Sequence, residues 1–194
     1  MSFETFAVIE EKVLGWANAR KIIDVDAHRQ MYLQVLRTQC LKLTEEVGEL
    51  NGAIWRKQEK ISNEVDIADA IGDILVVMTS LVWALPPTVC IDNQETKYRL
   101  DDLYEVACDN GDACRGALLL LNNEVGRLAA AIIRNKPGLD MKTMMQRIVF
   151  FLKHVCYEYL PSRTLYECYR DAYDVIKDRK GKTTPDGNFI KEGD

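Results

Sequence analysis

One helical phrase is written twice in this chain. Residues 43–54 read LTEEVGELNGAI, and residues 121–132, 78 positions later, read LNNEVGRLAAAI. Leu, Glu, Val, Gly, Leu, Ala and Ile keep their places, while Glu45 becomes Asn123 and Glu49 becomes Arg127. An amphipathic helix cannot bury its apolar stripe alone, so a duplicated one restricts the fold to two like halves packed together. The second copy keeps the packing residues and loses carboxylates. Charge chemistry is therefore expected in the first half only.

The rest of the chain also reads as helix. In residues 3–20, Phe6, Ile9, Val13 and Trp16 stand at helical spacing; in 28–57, Leu36, Cys40, Leu43, Val47, Leu50 and Ile54 alternate steps of four and three. Ser62 is the expected N-cap of the next helix, with Glu64 and Asp66 in its first turn. Its seam, Ile67, Ile71, Ile74, Met78, Leu81 and Leu85, runs to Pro86-Pro87. A polar stretch to Tyr98, a lid or a linker, precedes a short helix over 100–108. A second helix pair is expected over 112–135 and 141–160, split by Pro137-Gly138 and closed by Pro161. Thr164 and Glu167 form a capping box for a last helix reaching Lys180, with Gly181 as its stop. Pro185-Asp186-Gly187 marks a turn in the tail. Strand patterning is nearly absent.

These elements predict an all-α fold. Its core is a four-helix bundle of two tandem hairpins, residues 37–87 and 112–161, related by a pseudo-twofold axis. Flanking N- and C-terminal helices, a closing helix over 162–181 and a tail over 182–194 complete one domain of residues 1–194. When Pro86 is aligned with Pro161, the offset is 75, and Asp66, Asp69 and Asp73 correspond to Met141, Met144 and Ile148. These three acids are all gone from the second copy.

Composition narrows the function. A net charge of −5 argues against a general nucleic-acid binder. Six cysteines without a CxxC pair, and two histidines, assemble no zinc-type cluster; thiols inside apolar helical runs read as buried and reduced. The acidic N-terminus has no basic start for a signal peptide, and the longest apolar run, residues 74–85, is too short to span a membrane. A soluble cytoplasmic protein is expected.

The carboxylates carry the chemistry. Glu46 and Glu49 are neighbours on one helix face beside the Val47/Leu50 seam, and Asp66, Asp69 and Asp73 form a second acidic stripe at i, i+3, i+7. A hairpin turning through residues 59–63 lets the stripes face each other. Carboxylates converging in this way repel unless cations sit between them. All-oxygen donors without histidine favour Mg²⁺ or Mn²⁺ over zinc, and no Glu-x-x-His motif of a ferritin-like di-iron site exists. Acidic residues on helices are more often simply solvated; placement beside the seam and joint loss from the second copy favour a site here.

Gln39-x-x-Lys42-Leu43-x-Glu45-Glu46-Val47-Gly48-Glu49-Leu50, followed by Asp69-Ala70-Ile71-Gly72-Asp73-Ile74-Leu75-Val76-Val77, resembles the MazG-like all-α nucleoside triphosphate pyrophosphohydrolases. Residues 172–182, AYDVIKDRKGK, resemble the closing segment of the small phage and bacterial members. The likeness covers about residues 10–85 and 160–192, with the second copy inserted between. It implies Mg²⁺-dependent cleavage of a nucleoside triphosphate between the α and β phosphates, giving a monophosphate and pyrophosphate. It also implies Glu46, Glu49 and Asp73 as metal ligands. The family's second motif is ExxD, and its first acid is Ala70 here; Asp69 is the substitute, with Asp66 next. Glu45 would act as general base or outer-shell ligand, with Glu46 beside it in catalysis.

Lys42, Lys177, Arg179 and Lys180 are candidate cations for the outer phosphates, although helix-end lysines are as often solvated. In the second copy Arg127 would put a cation where the first has a ligand. Trp16, Trp55 and Trp83 could stack on a base, but their helical placement fits the core better. The expected partners are a nucleoside triphosphate, with no nucleic acid and no membrane, and the chain is a pseudo-dimeric monomer or a homodimer. The alternative is a catalytically inactive bundle that binds a nucleotide or a partner protein.

Overall fold

The computed structural model describes residues 5–24, 30–60, 63–85, 88–89, 95–96, 99–109, 116–134, 139–184 and 189–192. In chain order the helices are α1 (Phe6–Ala19), α2 (Gln30–Gln58), α3 (Glu64–Trp83), α4 (Leu100–Asp109), α5 (Ala117–Ile133), α6 (Leu139–Tyr159) and α7 (Leu165–Ile176). Two short antiparallel ladders join β1 (Thr88–Val89) to β2 (Glu95–Thr96) and β3 (Gly181–Thr183) to β4 (Phe189–Lys191). The fold is all-α, as the periodicity predicts. No helix among the described residues is long and apolar enough to cross a membrane.

The seams read from the sequence are the core. Leu43, Leu50 and Ile54 on α2 meet Ile67, Ile71, Ile74 and Met78 on α3; Leu121, Leu128 and Ile132 on α5 meet Met145, Val149 and Leu152 on α6. All are buried, and each such side chain contributes ~1.5–3 kcal/mol through removal from water. The hairpins meet through α2 against α5 and α3 against α6. At the α2–α5 contact the carboxamides of Asn51 and Asn122 bond each other reciprocally, at 2.8 and 3.0 Å. Ile74, Val77, Leu81 and Leu85 are buried, and so are Val149, Leu152, Cys156 and Leu160, their counterparts 75 positions on.

The closing helices are exchanged between the halves. α4 follows the first hairpin but packs chiefly on α6, and α7 follows the second but packs on α3. Gly72 permits the α3–α7 approach, because a Cβ there would overlap the Cys168 carbonyl and the Ala172 methyl. α4 is anchored by Glu10 of α1, whose buried carboxylate accepts from the amides of Leu100 (2.7 Å) and Asp101 (3.2 Å) and pairs with Arg99.

Several local expectations change. The N-cap of α3 is Asn63, which accepts from the amides of Val65 and Asp66; Ser62 lies outside the described residues. α5 opens at Ala117 behind Gly116, which has a φ of 74°, later than expected. The Thr164–Glu167 capping box is present. However, α7 stops at Ile176 rather than Lys180, and Gly181 is a strand residue rather than a helix stop.

The reason for the early stop is tertiary. Trp16 Nε1 donates to the Ile176 carbonyl (2.8 Å), and Arg20 Nη2 donates to those of Lys177 (3.3 Å) and Arg179 (2.6 Å). Side chains of α1 and the loop after it thus claim the carbonyls at the helix end. Gly181 then lets β3 lie against β4, where any side chain would meet the Ile190 carbonyl and the Phe189 ring.

Cys40, Cys156 and Cys168 are buried thiols. Cys90, Cys114, the Pro185-Asp186-Gly187 turn and most of the polar stretch before Tyr98 lie outside the described residues, as does the side chain of Cys108. Trp83 is buried as expected, whereas Trp55 is exposed, at the end of a helix face that no other described element covers.

Candidate active site

Helical spacing places Gln39, Lys42, Glu46 and Glu49 on one face of α2, in steps of three, four and three. Asp73, Val77 and Ser80 form the matching face of α3. Counted from the turn of the hairpin, Asp73 stands level with Glu49 and Ser80 with Lys42. The two faces open onto a cavity of about 470 Å³ lined by all seven of these residues and by Glu45 and Val76. Its remaining wall comes from the chain ends: Trp16 and Ile22 near the N-terminus, and Ile176, Arg179 and Phe189 near the C-terminus.

The cavity is therefore polarised. Glu46, Glu49 and Asp73 gather at one end. Gln39 and Ser80 lie toward the other, each seven residues from a carboxylate, about 10 Å along a helix axis. Both are buried, and neither the Gln39 amide nor the Ser80 hydroxyl has a hydrogen-bond partner among the described residues. The facing wall is aromatic: Trp16 and Phe189 meet edge to face at 5.8 Å between centroids, with the Arg20 guanidinium 4.8 Å from the Trp16 ring.

Electrostatics set the carboxylate end apart. Burial, then the charges of Glu46 and Asp69, pushes the Asp73 carboxyl up to about 7, against the opposing pull of Arg179. Burial also raises Glu46, partly offset by Lys42. The Lys42 ammonium bridges Glu45 (2.9 Å) and Glu46 (3.0 Å). Burial lowers Lys42, but those two carboxylates raise it further.

The structure thus brings together Lys42, Glu45, Glu46, Glu49, Asp73 and Arg179. Asp69 lies outside the lining, exposed, within electrostatic reach of Asp73. Ala70 is buried in the core. Lys177 points away and pairs with Asp174 at 2.8 Å, and Lys180 lines a separate cleft with Lys182 and Glu192. Gln39, Ser80 and Phe189 have no role in the sequence reading. Gln39 is visible at the head of the first motif, but no local signal marks Phe189, which reaches the cavity only through the β3–β4 hairpin.

Among the described residues no three His, Cys, Asp or Glu side chains already form a metal-holding group. The donor chemistry nevertheless suits a hard divalent cation: oxygen-only carboxylates, with Asp73 held high by burial and then by its acidic neighbours, and an ammonium held between Glu45 and Glu46. No family model, curated protein or solved structure matches this chain.

Proposed function

We propose that this protein is a MazG-like, Mg²⁺-dependent nucleoside triphosphate pyrophosphohydrolase with one active site per chain, in the first repeat. The supporting observation is the polarised cavity, with Glu46, Glu49 and Asp73 at one end and an aromatic and amide-bearing chamber at the other. A nucleotide has the same polarity, since its phosphates need cations and its base needs a flat apolar wall with a few polar groups.

In this reading Glu46, Glu49 and Asp73 hold the cation, with Asp69 at the edge as the fourth carboxylate. When bound, Mg²⁺, or Mn²⁺ in its place, neutralises phosphate charge and acidifies water. Glu45, exposed at the mouth and steadied by Lys42, takes the proton from the attacking water. The water oxygen bonds to the α-phosphorus, the bond to the α–β bridging oxygen breaks, and pyrophosphate leaves with those electrons. Arg179 faces the outer phosphates. Trp16 and Phe189 flank the base, while Gln39 and Ser80 bond to its edge or to the sugar. A cytoplasmic location, where thiols stay reduced, accompanies this reading.

A second reading is an inactive nucleotide-binding bundle. It is favoured by Ala70, a core methyl where the related motif has an acid. The test is incubation with a panel of ribo- and deoxynucleoside triphosphates and Mg²⁺, with pyrophosphate as the readout. Release from at least one nucleotide, abolished in Glu46→Gln, is expected. Nucleotide binding without release would select the second reading, and neither binding nor release would sink both.

A further inference from the structure

Two buried thiols from different helices touch. Cys156 stands in the last turn of α6 and Cys168 near the start of α7; both are free and fully enclosed, at 2 % and 1 % exposed. The Cys168 thiol is hydrogen-bonded to the Cys156 sulfur. The Cys156 thiol in turn donates to the Arg163 carbonyl at 3.6 Å. Arg163 belongs to the turn that joins the two helices, where Pro161, Ser162 and Thr164 are exposed. The pair therefore lies beneath a surface turn, whose local opening admits a molecule little larger than water.

The contact makes the two sulfurs unlike. The hydrogen bond from Cys168 holds the Cys156 thiol below its ordinary value, against burial and Glu167 and with help from Arg163. The same bond, and then burial, raises Cys168. Cys40 supplies the contrast. It is also buried but has no second thiol beside it among the described residues, and burial alone pushes it up to about 11.

We propose that Cys156 and Cys168 form a reversible oxidation site, a dithiol that a hydroperoxide converts into a disulfide joining α6 to α7. Cys156, as its thiolate, attacks one peroxide oxygen. An S–O bond forms, the O–O bond breaks, and the departing oxygen takes up the proton that Cys156 released. The Cys168 sulfur then attacks the sulfenic sulfur. The S–S bond forms, the S–O bond breaks, and the second oxygen leaves as water with the Cys168 proton. The two thiols lose two electrons, and hydrogen peroxide is reduced to two waters.

The bond is a staple between the halves of the molecule. α6 belongs to the second hairpin, whereas α7 packs chiefly on α3, and the Cys168 carbonyl fills the space that Gly72 leaves beside it. One disulfide thus ties the second repeat to the helix that closes the first. The inference does not rest on the hydrolase reading, because its readout is the bond itself.

The experiment is brief treatment of the folded full chain with hydrogen peroxide, followed by blocking of remaining thiols in denaturant, trypsin digestion and mass spectrometry. Cleavage after Lys153, Arg163 and Arg170 separates the two cysteines. The disulfide should appear as residues 154–163 joined to 164–170, two hydrogens lighter than the separate peptides together. The thermal midpoint should rise by about 5 °C, and dithiothreitol should reverse both changes. In Cys168→Ser, dimedone should trap a sulfenic acid at Cys156; in Cys156→Ser, Cys168 should stay a thiol. The wild-type result stands whether or not either serine variant folds. Recovery of both cysteines as blocked thiols from peroxide-treated wild type, or of either joined to a different cysteine, would overturn the proposal. A joined pair with an unchanged midpoint would overturn its role as a staple.

Discussion

Glu46 and Glu124 occupy the same place in the two copies of one helical phrase and are equally buried, at 5 % and 4 % exposed. Their surroundings have opposite sign. Glu124 is held by Arg127 at 2.6 Å and Arg147 at 3.3 Å, two cations for one carboxylate. Glu46 shares the single ammonium of Lys42 with Glu45, and Glu49 and Asp73 add further negative charge. A buried carboxylate must be compensated. The second hairpin supplies that compensation permanently from its own side chains, so its position is closed. The first leaves it incomplete, with Glu45, Glu49 and Asp73 adding negative charge around Glu46 and Lys42 the one ammonium bonded to it among the described residues. The two copies thus share their packing residues and differ in the charge placed around the buried carboxylate.

The sharpest way to break this comparison is to write the second copy into the first. Glu49→Arg should lower pyrophosphate release about 10³-fold, as loss of a group that organises transition-state charge does. Its unfolding midpoint should stay level or rise, because the new guanidinium pairs with Glu46 as Arg127 pairs with Glu124. A folded variant with undiminished release would show that the asymmetry is not functional.

The reciprocal change, Arg127→Glu, should act on stability instead. It leaves Glu124, one oxygen of which is already buried without a partner among the described residues, beside a second carboxylate. A loss of about 3 kcal/mol in urea unfolding is expected, with release intact where the variant is folded.

Cation binding should distinguish the halves a third way. At a hundredfold excess over its dissociation constant, Mg²⁺ should stabilise wild type by about 2.7 kcal/mol in thermal unfolding and Glu49→Arg not at all. An equal shift in both would place the cation elsewhere.

The smallest effect concerns pH and belongs to the second hairpin. His154 on α6 is buried with Nε2 unpartnered among the described residues, and burial, then Lys153, lowers it from 6.5. The folded state then binds fewer protons than the unfolded chain. Its contribution to stability is full above the unfolded value and is lost as pH falls toward the lowered one. His154→Phe should flatten the stability slope between about pH 7 and 5 in chemical unfolding. An unchanged slope would assign the acid sensitivity to other groups.

Legibility in the sequence follows the range of the interactions. The α2 and α3 seams, the Thr164–Glu167 capping box and the Glu46–Glu49 pair are all readable, because each depends on residues three or four apart on one helix. Ser62 gives way to Asn63 because neighbouring polar residues compete for a cap, and geometry selects one. Trp55 reads as core by helical position, yet its side chain lies toward a face that no other described element covers. Glu10 is an ordinary acid of an amphipathic helix until Leu100, 90 residues away, presents its amide. Arg127 is recognisable as a replacement for Glu49, but its companion Arg147 is not, since α6 brings it to Glu124 from a different helix.

The sequence by itself determined that the protein is all-α, that its core is doubled and that only one copy is acidic. Periodicity and residue identity along a helix carry all three. Only the tertiary structure decided which acids share a cavity, because Asp69 and Asp73 lie on one stripe but only Asp73 is turned inward and desolvated. It alone decided the far wall as well. Trp16 and Phe189 are 173 residues apart in the chain, and they meet because Arg20 and Trp16 take up the carbonyls that end α7 and direct the tail back across α1. Such contacts arise when the chain closes on itself, and no local pattern encodes them.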